Sequence, residues 1–319
     1  MLSRLLAFAG IVLWGCVCGT FLLADPPAGK IVPVRADQAA PKILLRYKFV
    51  PGQEIRYEVA TGMEFTTQVG SVADTAWNKS DARRHYRVSS ADSQAGTASL
   101  ELTIDRVRMS AQSSSTSAVE DFDSEDAAKQ PLKYKHILDR IGKPQATLDV
   151  TITGQSVKVI PNADAPVTAN KPVAVGGDAA PESYLATLPE QPVGLGEEWK
   201  ERFETTALNA QRLTLHITML RVYKLASVKD GKATIEFRTT ILTPVHDPSI
   251  SAQLIQRETS GAFVFDIEQG IIIARQAKAD RTVVDAFGPK SSLRCVGKYQ
   301  ERLIPVGVVA QEPRDSRTN

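Results

Sequence analysis

The side chains of this 319-residue chain best suited to chemistry are its four histidines, its three cysteines and one dense run of acids. A helix-borne metal pair needs histidines about three to five residues apart. His85, His136, His216 and His246 offer no such pair. His216 alternates with threonines along a strand-like run, where a solvated ring is expected. His246 sits in Pro-Val-His-Asp-Pro, a turn by composition. The run EDFDSED, residues 120–126, could offer carboxylate oxygens to Ca²⁺, yet it lacks the glycine and the distal glutamate of a calcium loop. It reads better as a helix start, where acids complement the helix dipole. No Gly-x-Ser-x-Gly elbow, phosphate loop or dinucleotide fingerprint is present. The expectation is a non-catalytic protein with no catalytic, metal-binding or cofactor-binding residue and no cofactor.

The cysteines point the same way. Cys16 and Cys18 fall in an N-terminal run, residues 5–24, that carries no charge and ends at Asp25-Pro26-Pro27. Such a run reads as a secretory signal peptide cleaved after Ala24, or as an uncleaved N-terminal anchor, since its length is about that of a bilayer span. Either way the protein is expected to be exported, to the periplasm or cell envelope. Cys295 then stands alone, alternating with Leu293 and Tyr299, and reads as a small buried apolar residue. A formal net charge of +2 gives no electrostatic footprint for nucleic acid, which is excluded as a partner. The hydrophobic fraction of 43% is enough for a sizeable core.

The elements that would position any site are strands. Ala98, Leu100, Leu102 and Ile104 alternate with Ser99, Glu101, Thr103 and Asp105, and similar runs recur at residues 147–152 and 213–219. A period of two marks strands with one buried and one wet face. The fold class is all-β, mainly antiparallel. Helical signals are confined to an insert at 111–141, with Ser124 as a helix N-cap, and to PESYLATL at 181–188, a short helix in the linker. Trp77 and Trp199 are expected to fill the core.

Three blocks repeat in the same order. Gly52 and Gly196 each precede an aromatic strand, Gly96 and Gly231 each open an alternating strand, and Gly154 and Gly270 each sit in a late turn. Two curved β-meander units are expected, at 42–160 and 189–305. A spacer at 25–41, a linker at 161–188 and a disordered tail at 306–319 complete the chain. Gly52, Gly196, Gly154 and Gly270 are assigned as structural turn residues, glycine being free to take positive φ.

LRYKFVPGQEIRYEV, ASLELTIDRVRM, FDSED, LPEQPVGLGEEW and GAFVFDIEQGIII together resemble a family of exported all-β bacterial proteins, a domain of unknown function. Its shared motifs are a Pro-Gly-aromatic and a Pro-Gly-acid-Trp strand start. The resemblance implies the fold and carries no activity or site residue. Two functions follow from the inventory of strands. One is a binding module for a lipid, a lipidated partner or another apolar partner, such as an envelope protein. The other is a structural or interaction protein of the envelope without a small-molecule pocket. An uncovered apolar sheet face favours the first, and a fully packed one favours the second.

Overall fold

The computed structural model describes residues 41–112, 118–161 and 185–305. The expected export segment, the spacer up to residue 40, linker residues 162–184 and the tail 306–319 lie outside the described residues. In chain order the strands are β1 (Glu54–Val69), β2 (Val72–Asp92), β3 (Thr97–Gln112), β4 (Val119–Asp123), β5 (Pro144–Thr151) and β6 (Ser156–Pro161). They continue as β7 (Glu198–Leu208), β8 (Thr214–Lys229), β9 (Lys232–Ile241), β10 (Ser260–Asp266), β11 (Ile271–Val284) and β12 (Ser291–Leu303). All belong to one sheet in the order β6-β5-β3-β2-β1-β12-β11-β10-β9-β8-β7, with β4 added beside the far part of β3. Every pairing is antiparallel.

The chain thus walks from the centre of the sheet to one edge, restarts at the other edge and returns to the centre. There β12 pairs with β1 over Tyr57↔Leu303 to Val69↔Ser291. The two walks are built alike. Gly52 and Gly196 both have φ of 82°. Each is the third residue of a turn closed by Gln53 N donating to Val50 O or Glu197 N to Gly194 O, the type II position where glycine is required. Both donate to the second strand of their walk, Gly52 to Val88 O of β2 at 2.8 Å and Gly196 to Leu225 O of β8 at 2.8 Å. A bulge follows at Val88/Ser90 and another at Leu225/Ser227. The later turns correspond too, with Ile152 N bound to Gly96 O and Ile267 N bound to Gly231 O.

Directly opposed residues of a sheet share a face. Following the register outward from Val59 gives Ala82 and Val107 on one side and Glu301, Arg275, Phe263 and Ile235 on the other. This packed face carries every hydrophobic cluster. The largest joins Tyr57, Tyr86 and Leu100 of the first half to Tyr223, Ile235 and Phe265 of the second. Side chains from strands so far apart in the order meet only if the sheet is curved. Residues 42–50 and 185–193 close this end: Ile43 and Val193 bridge each other, and the Tyr47 hydroxyl both donates to Ala186 O and accepts from Ala186 N. Gly154 and Gly270 lie beneath this cover, where a Cβ would strike Ala186 O in one case and Lys48 N in the other.

The other end of the packed face is covered by the two helical inserts. The first departs from its sequence reading. It adds strand β4 and then breaks into 3₁₀ turns at Ala127–Lys129 and Leu132–Tyr134 and a single α turn, α1 (Lys135–Leu138). Asp126, not Ser124, caps the first turn, because the Ser124 hydroxyl is taken by Val107 N. Pro131 interrupts any longer helix. The second insert, α2 (Pro248–Leu254), follows Asp247, whose side chain accepts from Ser249 N as an N-cap. Described residues 185–188 of the expected linker helix are not helical; their backbone groups bind Tyr47 and Thr153 instead.

Candidate binding site

On the packed face the seam between the halves is polar. Glu301 of β12 is buried and pairs with Arg84 of β2, reaching past Tyr57 of β1, and with Arg275 of β11 at 3.5 Å. The Arg84 guanidinium also donates to Tyr299 Oη at 3.1 Å. Burial alone would raise the Glu301 carboxyl. Arg84 and Arg275 outweigh it and hold the group below the usual carboxylate range. Burial pushes the Tyr299 hydroxyl up to about 12, outweighing the opposite pull of Arg84 and Arg275. The second half repeats the motif one strand nearer. Arg221 stands to Tyr223 as Arg84 does to Tyr86, and its carboxylate partner is Glu201 of β7 at 3.5 Å. Glu201 also accepts from Tyr223 Oη and Thr187 Oγ1, each at 2.7 Å. Buried charges of this kind are paired or not tolerated, so both sets read as internal anchors.

The opposite, open face holds a groove of about 740 Å³ directly behind the Glu301 cluster. Two cross-strand rows line it. One runs Arg108, Asp81, Ala60, Gln300, Gln276, Ala262 from β3 to β10. The other runs Arg106, Arg83, Glu58, Arg302, Ala274, Val264 over the same strands. The groove is therefore two-sided. Its β1–β3 and β12 side is charged, with four arginines against Glu58 and Asp81, and its β10–β11 side presents the small apolar Ala262, Val264 and Ala274 beside Gln276. Bulges at Arg83/Arg84 and at Val264/Phe265 bracket it. A bulge bends its strand and increases the local twist, and alanines at 60, 262 and 274 leave the floor without side-chain bulk. Arg83 lies 3.6 Å from Glu58, and Arg106 pairs with Asp123 at 3.1 Å and Glu125 at 2.8 Å. Arg108 and Arg302 are exposed and make no ion pair among the described residues.

The residues singled out in the sequence lie elsewhere. Gly52 and Gly196 are in the turns before β1 and β7, and Gly154 and Gly270 are in those after β5 and β10. None lines the groove. His85 holds Asp105 at 2.9 Å on the open face, and His216 faces Glu204 at 3.5 Å at an exposed position. The acidic run 120–126 is split between β4 and the 3₁₀ turn, with Asp123 committed to Arg106. No cluster of metal-ligating side chains occurs among the described residues. Cys295 is buried, and burial pushes its thiol up to about 11. Trp199 stacks on Tyr223 at the core. Trp77 does not fill the core; it lies half-exposed on the open face, donating to Gln112 Oε1 under Lys79. Two signals for the missed residues were present. Arg106-x-Arg108 in a strand puts both cations on one face. Likewise, Cys295, Tyr299 and Glu301 are odd-numbered in one strand, so the glutamate shares the buried side.

No family model and no curated protein matches the chain. Among solved structures it is similar to lipovitellin, in a structure of lipid–protein interactions, at 10% identity and a TM-score of 0.44 over 83% of this chain. It spans about a quarter of that protein, 26% of its length. It is also similar to a putative outer membrane lipoprotein-sorting protein domain from Vibrio parahaemolyticus, at 7% identity and a TM-score of 0.14, covering 79% of this chain and 86% of that one. A DUF1329 family protein from Desulfovibrio piger matches at 10% identity and a TM-score of 0.13, covering 79% and 87%. All three TM-scores are below 0.5, and none of these likenesses bears on function. No helix among the described residues is long and apolar enough to cross a membrane.

Proposed function

We propose that the protein is a non-catalytic binding module of the cell envelope, and that the open-face groove holds an amphiphile, an acyl chain carrying an anionic head. One observation carries this reading: the groove divides into an arginine-rich side and an apolar side floored by Ala262, Ala274 and Val264. Its volume of about 740 Å³ is in the range of small-molecule sites. An acyl chain would lie along the small residues, and its head would meet Arg108 and Arg302, which are exposed and make no ion pair among the described residues. Envelope placement rests on the uncharged run at residues 5–24. The packed face supports the other reading. Its apolar residues are covered by residues 42–50, 185–193 and the two inserts, which suits an envelope interaction protein without a pocket.

Displacement of a fluorescent fatty-acid analogue separates the two. Palmitate and a lysophosphatidylglycerol serve as carboxylate and phosphate competitors. Ala274→Trp should fill the floor and weaken both at least tenfold, and Arg108→Glu with Arg302→Glu should weaken the competitor whose head is recognised. Absence of any binding to the unaltered chain, or binding indifferent to both changes, leaves the interaction-protein reading.

A further inference from the structure

We propose that the paired hairpin tips at one end of the sheet form a contact surface for a lipid bilayer. The β1–β2 and β11–β12 turns lie side by side, joined by Gly70 N donating to Lys290 O at 2.9 Å. Together they present Val69, Val72, Val284 and Phe287, which are 54%, 68%, 67% and 58% exposed. An exposed valine at a strand end is ordinary, but here Val69 and Val72 oppose each other on one face and Val284, opposite Ser292, lies on the other, so the paired tips are apolar on both sides.

The second observation is the loop that displays Phe287. Residues 285–291 are held rigidly. Asp285 N binds Ser291 O, Gly288 N binds Asp285 O, and Ser291 N binds Gly288 O. The Ser291 hydroxyl accepts from Phe287 N and donates to Gly288 O, and the Asp285 carboxylate accepts from Lys290 N. Asp285 and Lys290 sit at φ of 57° and 64°, a left-handed conformation that non-glycine residues seldom adopt. Ala286 next to the phenylalanine is buried against Leu293 and Cys295. The chain therefore accepts strained backbone at two positions and ties the loop internally, while turning its one aromatic ring outward. Had folding alone governed the loop, that ring would pack onto the adjoining cluster as Ala286 does.

A bilayer fits this surface better than a protein does. The patch offers on the order of 400 Å² of apolar area, about half the share each partner gives to a standard protein complex. It lies at the hairpin tips, at one end of the sheet. Of its neighbouring charges, Asp280 is bound to Arg294 and the Asp285 carboxylate is turned into its own loop, while Asp74, two residues beyond Val72, is exposed. Lys290 stands beside it as a single cation for headgroups. Interfacial binding scales with buried apolar area, so neutral lipid should suffice. The inference is independent of the groove.

The test uses the full chain with phosphatidylcholine vesicles containing brominated acyl chains, which quench tryptophan on contact. Phe287→Trp should add emission that the vesicles quench, and adding Val72→Ser should reduce that quenching at least threefold. Val157→Trp, at an exposed position on β6 at the opposite end of the sheet, should add emission that stays unquenched. This readout is local, so it holds whether or not residues 5–24 also engage the vesicle. Absence of quenching at position 287, or equal quenching at 287 and 157, overturns the proposal. Concentration-dependent self-association abolished by Phe287→Ser, without quenching at 287, also overturns it and makes the tip a contact between copies.

Discussion

Replacing Glu301 by Gln should be among the most damaging conservative changes in this protein. The Glu301 side chain is 3% exposed, and its partners Arg84 and Arg275 are 17% and 11% exposed, so solvent screening offers little relief. The amide keeps the volume and one acceptor but removes the carboxylate that pairs with both guanidiniums. Breaking a buried pair from one side costs about 3–5 kcal/mol, because the remaining charge stays desolvated. The retained amide oxygen places the expectation near the lower end, about 3 kcal/mol. The seam between β1 and β12 makes the loss global, since Glu301 bridges strands on both sides of it. Urea unfolding at neutral pH should show a lower midpoint at unchanged slope. The pH dependence supplies a second reading. The folded Glu301 pKa lies below its ordinary value, so its contribution is present above the unfolded-state pKa and is lost as pH falls through the folded one. The variant should therefore lose less stability than the parent across that acid limb. Replacing all three residues by apolar ones of similar size, Arg84→Met, Arg275→Met and Glu301→Leu, should recover most of the loss. A Glu301→Gln variant within about 1 kcal/mol of the parent, the usual worth of a surface pair, would refute the reasoning.

The turn glycines should separate into two classes. Ala at Gly52 or Gly196, where a Cβ meets open space, costs only the left-handed strain of about 1–2 kcal/mol. Ala at Gly270 adds a collision with the backbone of Lys48, and Ala at Gly154 one with Ala186, so each should cost roughly 1–3 kcal/mol more in the same denaturation assay. In the two alternating strands β3 and β9, truncating the buried Leu102 to Ala should cost about 2–5 kcal/mol and the half-buried Phe237 somewhat less. Glu236→Ala, on the exposed side, should stay within about 0.5 kcal/mol, and a larger effect would show that the face assignment is wrong.

Much of the architecture was legible because it is local. Alternation in Ala98–Leu100–Leu102 and Ala233–Ile235 fixes which side of a strand is buried, whatever the strand pairs with. A Pro-Gly turn at residues 51–52 requires positive φ wherever it sits. The likeness of the halves extends to Arg84-His-Tyr-Arg-Val and Arg221-Val-Tyr-Lys-Leu, where the bulges and the internal anchors coincide. The short helices were less legible. Asp247-Pro248 is both a turn signal and a helix cap, and only burial of Ile250 and Leu254 against β7 and β8 selects the helix. The groove could not be read at all. Ala60, Ala262 and Ala274 are ordinary wet-face residues until β12 pairs with β1 and brings strands some 200 positions apart in the chain into one row. Likewise Phe287 is one exposed aromatic in the sequence, and it joins Val72 only because Gly70 and Lys290 meet across that same seam. Sequence determined the strands and their faces, since a two-residue period needs no distant partner. Register and seam, and with them both candidate surfaces, depend on contacts between distant residues, which only the folded sheet specifies.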